Sequence, residues 1–156
     1  MEEFVPALSR IAASYARSVH DREDLLQDIL LAVWRAMPTF RGEAALRTFV
    51  FRIAHNRGLR YVWNLKRHKQ FLEQQTDIYP DESPGPFETV AFSEQQEKLL
   101  SAVRSLPLSL RQVLTLALEG LSHQDIAQTL GISENNSAVR LHRARDLLKK
   151  QIGGKQ

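Results

Sequence analysis

Apolar residues recur along this chain at spacings of three and four and nowhere alternate over any length, so the pattern predicts helices throughout and an all-α fold. Phe4, Leu8, Ile11, Ala12 and Tyr15 form a first stripe. A second helix is expected from near Asp21, where early acidic residues favour the helix dipole, with Leu25, Ile29, Ala32 and Val33 inward and Pro38 as its stop. The tripeptide Phe40-Arg41-Gly42 predicts a loop. A long third helix should run from about Ala45 to Arg67, burying Leu46, Phe49, Val50, Ile53 and Leu59 and carrying Arg52, Arg57, Arg60, Lys66 and Arg67 on its outer faces. The period then fails. Pro80, Pro84, Gly85 and Pro86 crowd an acidic stretch, which places a flexible linker at residues 74–92 between small helical domains at 1–73 and 93–156.

Near the C-terminus, residues 121–150 spell a helix-turn-helix. Ser122 with Asp125 three residues on reads as a capping box, Ile126, Ala127 and Leu130 give an apolar face, and Gly131 stands where a helix ends in the left-handed conformation. Ile132 closes the corner and Ser133 caps the second helix. Its inward positions are Ser137, Leu141, Ala144 and Leu148, leaving Glu134, Asn135, Asn136, Ala138, Arg140 and Arg143 toward a partner. Asn pairs bidentately with adenine and Arg with guanine, and the first turn of such a helix enters the major groove deepest.

Charge sharpens this reading more than composition does. The formal net charge is only +3, but residues 41–69 hold eight Lys/Arg against one acid, while residues 70–98 hold seven acids against one Lys. A compact basic block is the footprint of polyanion binding. The long third helix also interleaves aromatics with these cations, the combination of a single-strand platform, although Phe49, Phe51, Tyr61 and Trp63 read individually as packing residues. With no cysteine there is no disulfide framework and no thiolate zinc site. No apolar run reaches membrane-spanning length, the first ten residues are acidic where a signal peptide would be basic, and a cytoplasmic protein is expected. The five histidines are scattered, adjacent carboxylates such as Glu2 and Glu3 or Asp81 and Glu82 lie in segments expected to be mobile, and there is no glycine-rich phosphate loop. Neither an enzyme nor a cofactor or metal is indicated.

The run REDLLQDILLAVWRAMPTFRGEAALRTFVFRIAHNRGLRYVWNLKR, residues 22–67, resembles region 2 of the bacterial sigma-70 family in its extracytoplasmic-function (ECF) group. The run SLPLSLRQVLTLALEGLSHQDIAQTLGISENNSAVRLHRARDLL resembles region 4 of the same group. The resemblance implies a three-to-four-helix region 2 module and a helix-turn-helix region 4 module in an RNA polymerase sigma factor. It implies that Asp24, Gln27, Asp28 and Arg35 contact core polymerase, and that the FRGEA loop, with Phe40, Arg41 and Gly42, accepts a base flipped from the −10 element. By the same resemblance Asn56 reads or melts that element while Arg57, Arg60, Lys66 and Arg67 hold the strand. Glu134, Asn135, Asn136 and Arg140 would then face −35 base edges, with Arg143 and Lys149 on phosphates. Such proteins are commonly held by an anti-sigma factor, an implied further partner beside promoter DNA. Two departures stand out: Ser137 replaces a usual apolar residue, and Phe49 a common Trp. A conventional regulator binding operator DNA as a dimer is the alternative.

Overall fold

A computed structural model describes residues 2–42, 45–74 and 91–153, with side chains up to Phe71 in the middle segment. Among these residues there are seven α-helices and no strand. A 3-10 turn at Glu2–Phe4 leads into α1 (Val5–Tyr15), followed by α2 (Val19–Ala36) and a second 3-10 turn at Met37–Thr39. α3 (Leu46–Gln74), α4 (Glu94–Arg104), α5 (Leu108–Leu118), α6 (His123–Leu130) and α7 (Glu134–Gly153) complete the chain. The helices α1, α2 and α3 pack on one another, α5 and α6 pack on α7, and α4 bridges α1 to α7.

Local chemistry sets these boundaries. Ser18 caps α2 by accepting the Asp21 amide at 3.1 Å, so that helix starts two residues ahead of the expected Asp21. It ends at Ala36, and Pro38 sits in the following 3-10 turn. α3 runs seven residues past Arg67, so Gln74, expected as linker, is helical. The expected linker positions 75–90 lie outside the described residues, as do Glu43 and Ala44 of the loop. α4 opens on a full capping box between Ser93 and Gln96.

The inner stripes expected for α1 and α2 are buried, apart from Phe4, which is half-covered. In α3 the buried face is shifted from the expected one: Val50 is buried, Leu46, Phe49, Ile53 and Leu59 are only half-covered, and Thr48, Phe51, Ala54 and His55 are buried instead. The reason is Tyr15. Its ring lies so close to Gly58 that a Cβ there would overlap it, and its hydroxyl meets His55 Nδ1 at 2.6 Å. Gln112 Nε2, from α5, donates to the same hydroxyl at 3.0 Å, so the phenol joins α1 to both α3 and α5. Burial raises the Tyr15 pKa and pulls that of His55 down from 6.5 to about 3, so both stay neutral.

Arginines cross between the two helical groups. Arg10 grips Glu119 with two bonds of 2.7 Å, and buried Arg22 bonds Glu97 at 2.7 and 3.0 Å while its Nε donates to the Ala16 carbonyl at 3.0 Å. Arg104 donates to the Ala13 carbonyl at 2.9 Å. Arg52, expected on an outer face, is turned onto the C-terminal end of α6, donating to Gln128 O at 2.6 Å where orphan carbonyls attract a cation. Arg47 meets Asp125 at 3.3 Å.

Two predictions follow from this packing. Gly58→Ala is expected to lower stability by about 1–3 kcal/mol, read as an earlier denaturation midpoint, because the ring of Tyr15 is wedged and cannot swing away. Stability should also fall on acidification. The Arg22 hydrogen bond holds the Glu97 carboxyl below its ordinary value, so that contribution is present above the carboxylate range and is lost as pH drops below it. The neutral His55 contributes fully above its ordinary pKa of 6.5 and loses its contribution as pH falls from there toward about 3. Denaturant midpoints that stay level between about pH 7 and pH 4 would contradict the His55 contribution, and midpoints that fall no further below about pH 4 would contradict that of Glu97.

Candidate functional site

Three exposed surfaces carry the side chains singled out above. The first lies on α2, where Asp24, Gln27, Asp28 and Arg35 are all exposed along one face. Their spacing of three, four and seven brings them together because α2 buries the opposite face in the α1–α3 core. Two large apolar residues not anticipated there share this face: Leu31 is 46% exposed and Trp34 70% exposed. An exposed tryptophan and leucine within a charged rim have the composition of protein-binding surfaces. The signal was in the sequence. α2 holds more large apolar residues than one stripe can bury, and Leu31 and Trp34 fall in register with the carboxylates.

The second surface combines the loop after the second 3-10 turn with α3. Gly42 adopts φ 76°, a left-handed conformation that glycine accepts without strain. Phe40 is half-buried, its ring 5.0 Å from that of Phe49, so the phenyl ring in place of the commoner indole serves to seat the loop against α3. Arg41 stands exposed. Along α3, Asn56, Arg60, Lys66 and Arg67 are exposed, whereas Arg57 leans toward Asp28 at 3.7 Å. That pair spans a cleft lined by Asp24, Leu25, Asp28, Arg57, Arg60, Tyr61 and Asn64. Tyr61 donates to Asp21 at 3.0 Å, and burial together with that carboxylate raises its pKa. The structure therefore brings the α2 carboxylates and the α3 cations to the two walls of one groove.

The third surface is the helix-turn-helix. Ser122 accepts the Asp125 amide at 3.2 Å, but the second half of the expected capping box is replaced: the Asp125 carboxylate goes to Arg47. Gly131 ends α6 at φ 70°, and Ser133 accepts the Asn136 amide at 3.0 Å to start α7. Ser137, Leu141 and Ala144 are buried and Leu148 half-buried, in the expected register. Ser137 is fully buried because its hydroxyl lies 2.9 Å from His123 Nδ1, a hydrogen bond taking the place of an apolar contact. Glu134, Asn135, Ala138, Arg143 and Lys149 are exposed. Asn136 and Arg140 are partly covered because they bond each other, Arg140 Nε donating to Asn136 Oδ1 at 3.2 Å. This i,i+4 bond orients the two groups side by side on the outer face.

Among the described residues no three His, Asp or Glu side chains gather as metal ligands, and no helix is long and apolar enough to cross a membrane. His20–Asp24 and His142–Asp146 are isolated pairs one helical turn apart, at 3.3 and 3.4 Å.

Comparison with known proteins agrees with this layout. Residues 1–68 match the family described as Sigma-70 region 2, and residues 96–148 match Sigma-70, region 4. The chain is 30% identical over 144 residues to the RNA polymerase sigma factor NccH of Alcaligenes xylosoxydans xylosoxydans, covering 89% of this chain and 77% of that protein. It is also 30% identical over 147 residues to the ECF RNA polymerase sigma factor SigM of Mycobacterium tuberculosis, covering 94% of this chain and 71% of that one. Its fold resembles the sigma factor RpoE of Bartonella quintana, solved in complex with the anti-sigma factor NepR, with TM-score 0.72 and 20% identity over 99% of this chain and 97% of that one. Both helical groups thus have their counterparts in order, and the chain belongs to the sigma-70 family, in the ECF group of RNA polymerase sigma factors.

Proposed function

We propose that the three surfaces divide the work of promoter-specific initiation among them. The α2 face, with Asp24, Gln27, Asp28 and Arg35 joined by Leu31 and Trp34, docks on core RNA polymerase. The loop at Phe40, Arg41 and Gly42 takes up an unpaired −10 base, Asn56 reads beside it, and Arg57, Arg60, Lys66 and Arg67 hold the strand. Flipping a base costs a few kcal/mol, offset by stacking and pocket hydrogen bonds, so opening and recognition are one event. α7 presents Glu134, Asn135, Asn136 and Arg140 to −35 base edges, with Arg143 and Lys149 on phosphates. In this reading residues 1–73 and 93–156 are the two working domains, the chain acts in the cytoplasm, and it needs neither cofactor nor catalytic residues of its own.

One observation supports the reading above all: two separate sets of DNA-type side chains share the chain with a charged apolar patch on α2 that is exposed among the described residues. A regulator binding an operator as a dimer would bury that patch against its own copy, so binding of core polymerase by the single chain is what separates the two readings. The contact between Arg57 and Asp28 further supports a working link between the polymerase and −10 surfaces. Control by an anti-sigma factor is supported by the partner bound to the RpoE relative.

Trp34→Ala is expected to weaken binding of purified core polymerase at least tenfold, the loss typical of a buried aromatic anchor, with helical content unchanged. Asp28→Ala should weaken it too, but that change also releases Arg57, so Trp34 is the cleaner test. Retention of wild-type core affinity by the Trp34 variant would remove the docking assignment. Asn136→Ala combined with Arg140→Ala should lose about 1–3 kcal/mol of −35 discrimination for each lost base contact while core affinity stays. Transcription by reconstituted holoenzyme from promoters with altered −35 bases would read this. An equal fall on every −35 sequence would show that these residues hold phosphates instead.

A further inference from the structure

The inner face of α7 holds one group that apolar packing does not account for. Its buried side chains are Ser137, Leu141 and Ala144, and only the first is polar. The Ser137 hydroxyl meets His123 Nδ1 at 2.9 Å, and among the described residues this is the one side-chain hydrogen bond between α6 and α7. His123 is the first residue of α6 and Ser137 the fourth of α7, so the bond ties the opening turns of the two helices to each other. The buried side chains that α6 contributes are Ile126, Ala127 and Thr129, and the Thr129 hydroxyl donates within its own helix, to the Asp125 carbonyl at 2.7 Å.

Apolar contacts and a hydrogen bond constrain a helix differently. Apolar contacts carry no direction, so a helix seated on Leu141 and Ala144 alone can roll by some degrees at little cost. A hydrogen bond has a narrow range of length and angle, and Ser137 is fully buried, so rolling α7 would strand its hydroxyl with neither water nor protein to bond. The groups that such a roll would displace are close by. Asn136 and Arg140 lie on one flank of Ser137, about 100° and about 60° round the helix from it, and are joined to each other at 3.2 Å. Both are partly covered, at the boundary between the packed face and the open one. A roll of about 20° would carry side-chain tips about 5 Å from the axis through roughly 2 Å, further than a bidentate hydrogen bond to a base tolerates.

We infer that His123 and Ser137 are positioning residues for −35 recognition: their bond fixes the roll of α7, and with it which base edges Asn136 and Arg140 can reach. This deepens the −35 reading of α7 and rests on it. The serine that stands where the family usually has an apolar residue is one half of a matched pair, and His123 is the other.

The full chain assembled with core polymerase provides the test, read as transcription from a set of promoters varied at the −35 element and alike elsewhere. Ser137→Ala and His123→Ala are each expected to change the preference among −35 sequences on the order of tenfold while core polymerase affinity and helical content stay as in the wild type. The double variant should do no more than either single one, because both remove the same bond. His123→Asn, whose side-chain amide stands where the imidazole has Nδ1, should restore the wild-type preference. An unchanged preference would overturn the inference. So would a fall by one factor on every −35 sequence, which would make the pair a structural contact only, or additive losses in the double variant, which would make the two residues independent. Asn136→Ala combined with Arg140→Ala keeps the two levels apart. If that variant changes the preference and the His123 and Ser137 variants do not, only the positioning role fails; if none of them does, the −35 reading of α7 itself fails.

Discussion

Tyr15 is the point on which both helical groups turn. A single ring packs against Gly58 of α3, its hydroxyl reaches His55 of the same helix, and Gln112 of α5 approaches it from the other group. Because Gly58 has no side chain, α1 and α3 can close to the distance at which Val50, Phe51 and Ala54 become buried. Everything that faces outward on α3 is set by that approach. Were α3 rolled by one residue to relieve it, about 100° of rotation would carry Asn56 and Arg60 off the exposed face. Arg111 lies over the same ring with its guanidinium carbon 5.9 Å from the centroid, which ties the second group to the node by a contact of a different kind.

Around this node the joint between the groups is polar. Guanidinium groups reach carboxylates at Glu97, Glu119 and Asp125 and carbonyls at Ala13 and Gln128. Such a joint differs from an apolar core. Water and salt compete with each of its bonds, and arginines released from it remain soluble. The buried side chains of the two groups, Leu8, Ile11, Ile29, Val33 and Val50 on one side and Val103, Val113, Leu116 and Ile126 on the other, belong to one continuous core. Parting the groups would therefore uncover apolar surface as well as release the arginines.

Most of the secondary structure was legible in the sequence because it is governed locally. Ser133, Gly131 and the buried stripe of α7 act within a few residues of themselves, and the expected turn and register were found at those positions. The candidate polymerase and DNA residues were named through family resemblance and spacing, and the fold exposes most of them while half-covering Phe40, Arg57, Asn136 and Arg140. What the sequence did not disclose depends on distant partners. Arg52 looks like any outward arginine until α6 presents its carbonyls, and Asp125 looks like half of a capping box until Arg47 arrives. Trp63 reads as a packing residue because nothing nearby in sequence says that the core ends at Val62. Ser137 reads as a defect in an apolar stripe until His123, fourteen positions earlier, supplies its partner.

The contact of α6 with α3 has a consequence for distance. With Arg52 bonded to Gln128 at 2.6 Å, the helix-turn-helix leans directly on the helix assigned to the −10 strand. On the proposed reading, elements named for positions −35 and −10 lie about 25 base pairs apart, roughly 85 Å at 3.4 Å per pair. A chain folded in this way cannot occupy both. It must first give up the arginine joint, and the fraction of molecules that have done so scales every apparent promoter affinity. The joint thus sets a threshold: an isolated −35-like sequence gains nothing from opening the chain, and only a polymerase surface and two elements at the right separation together repay the bonds released.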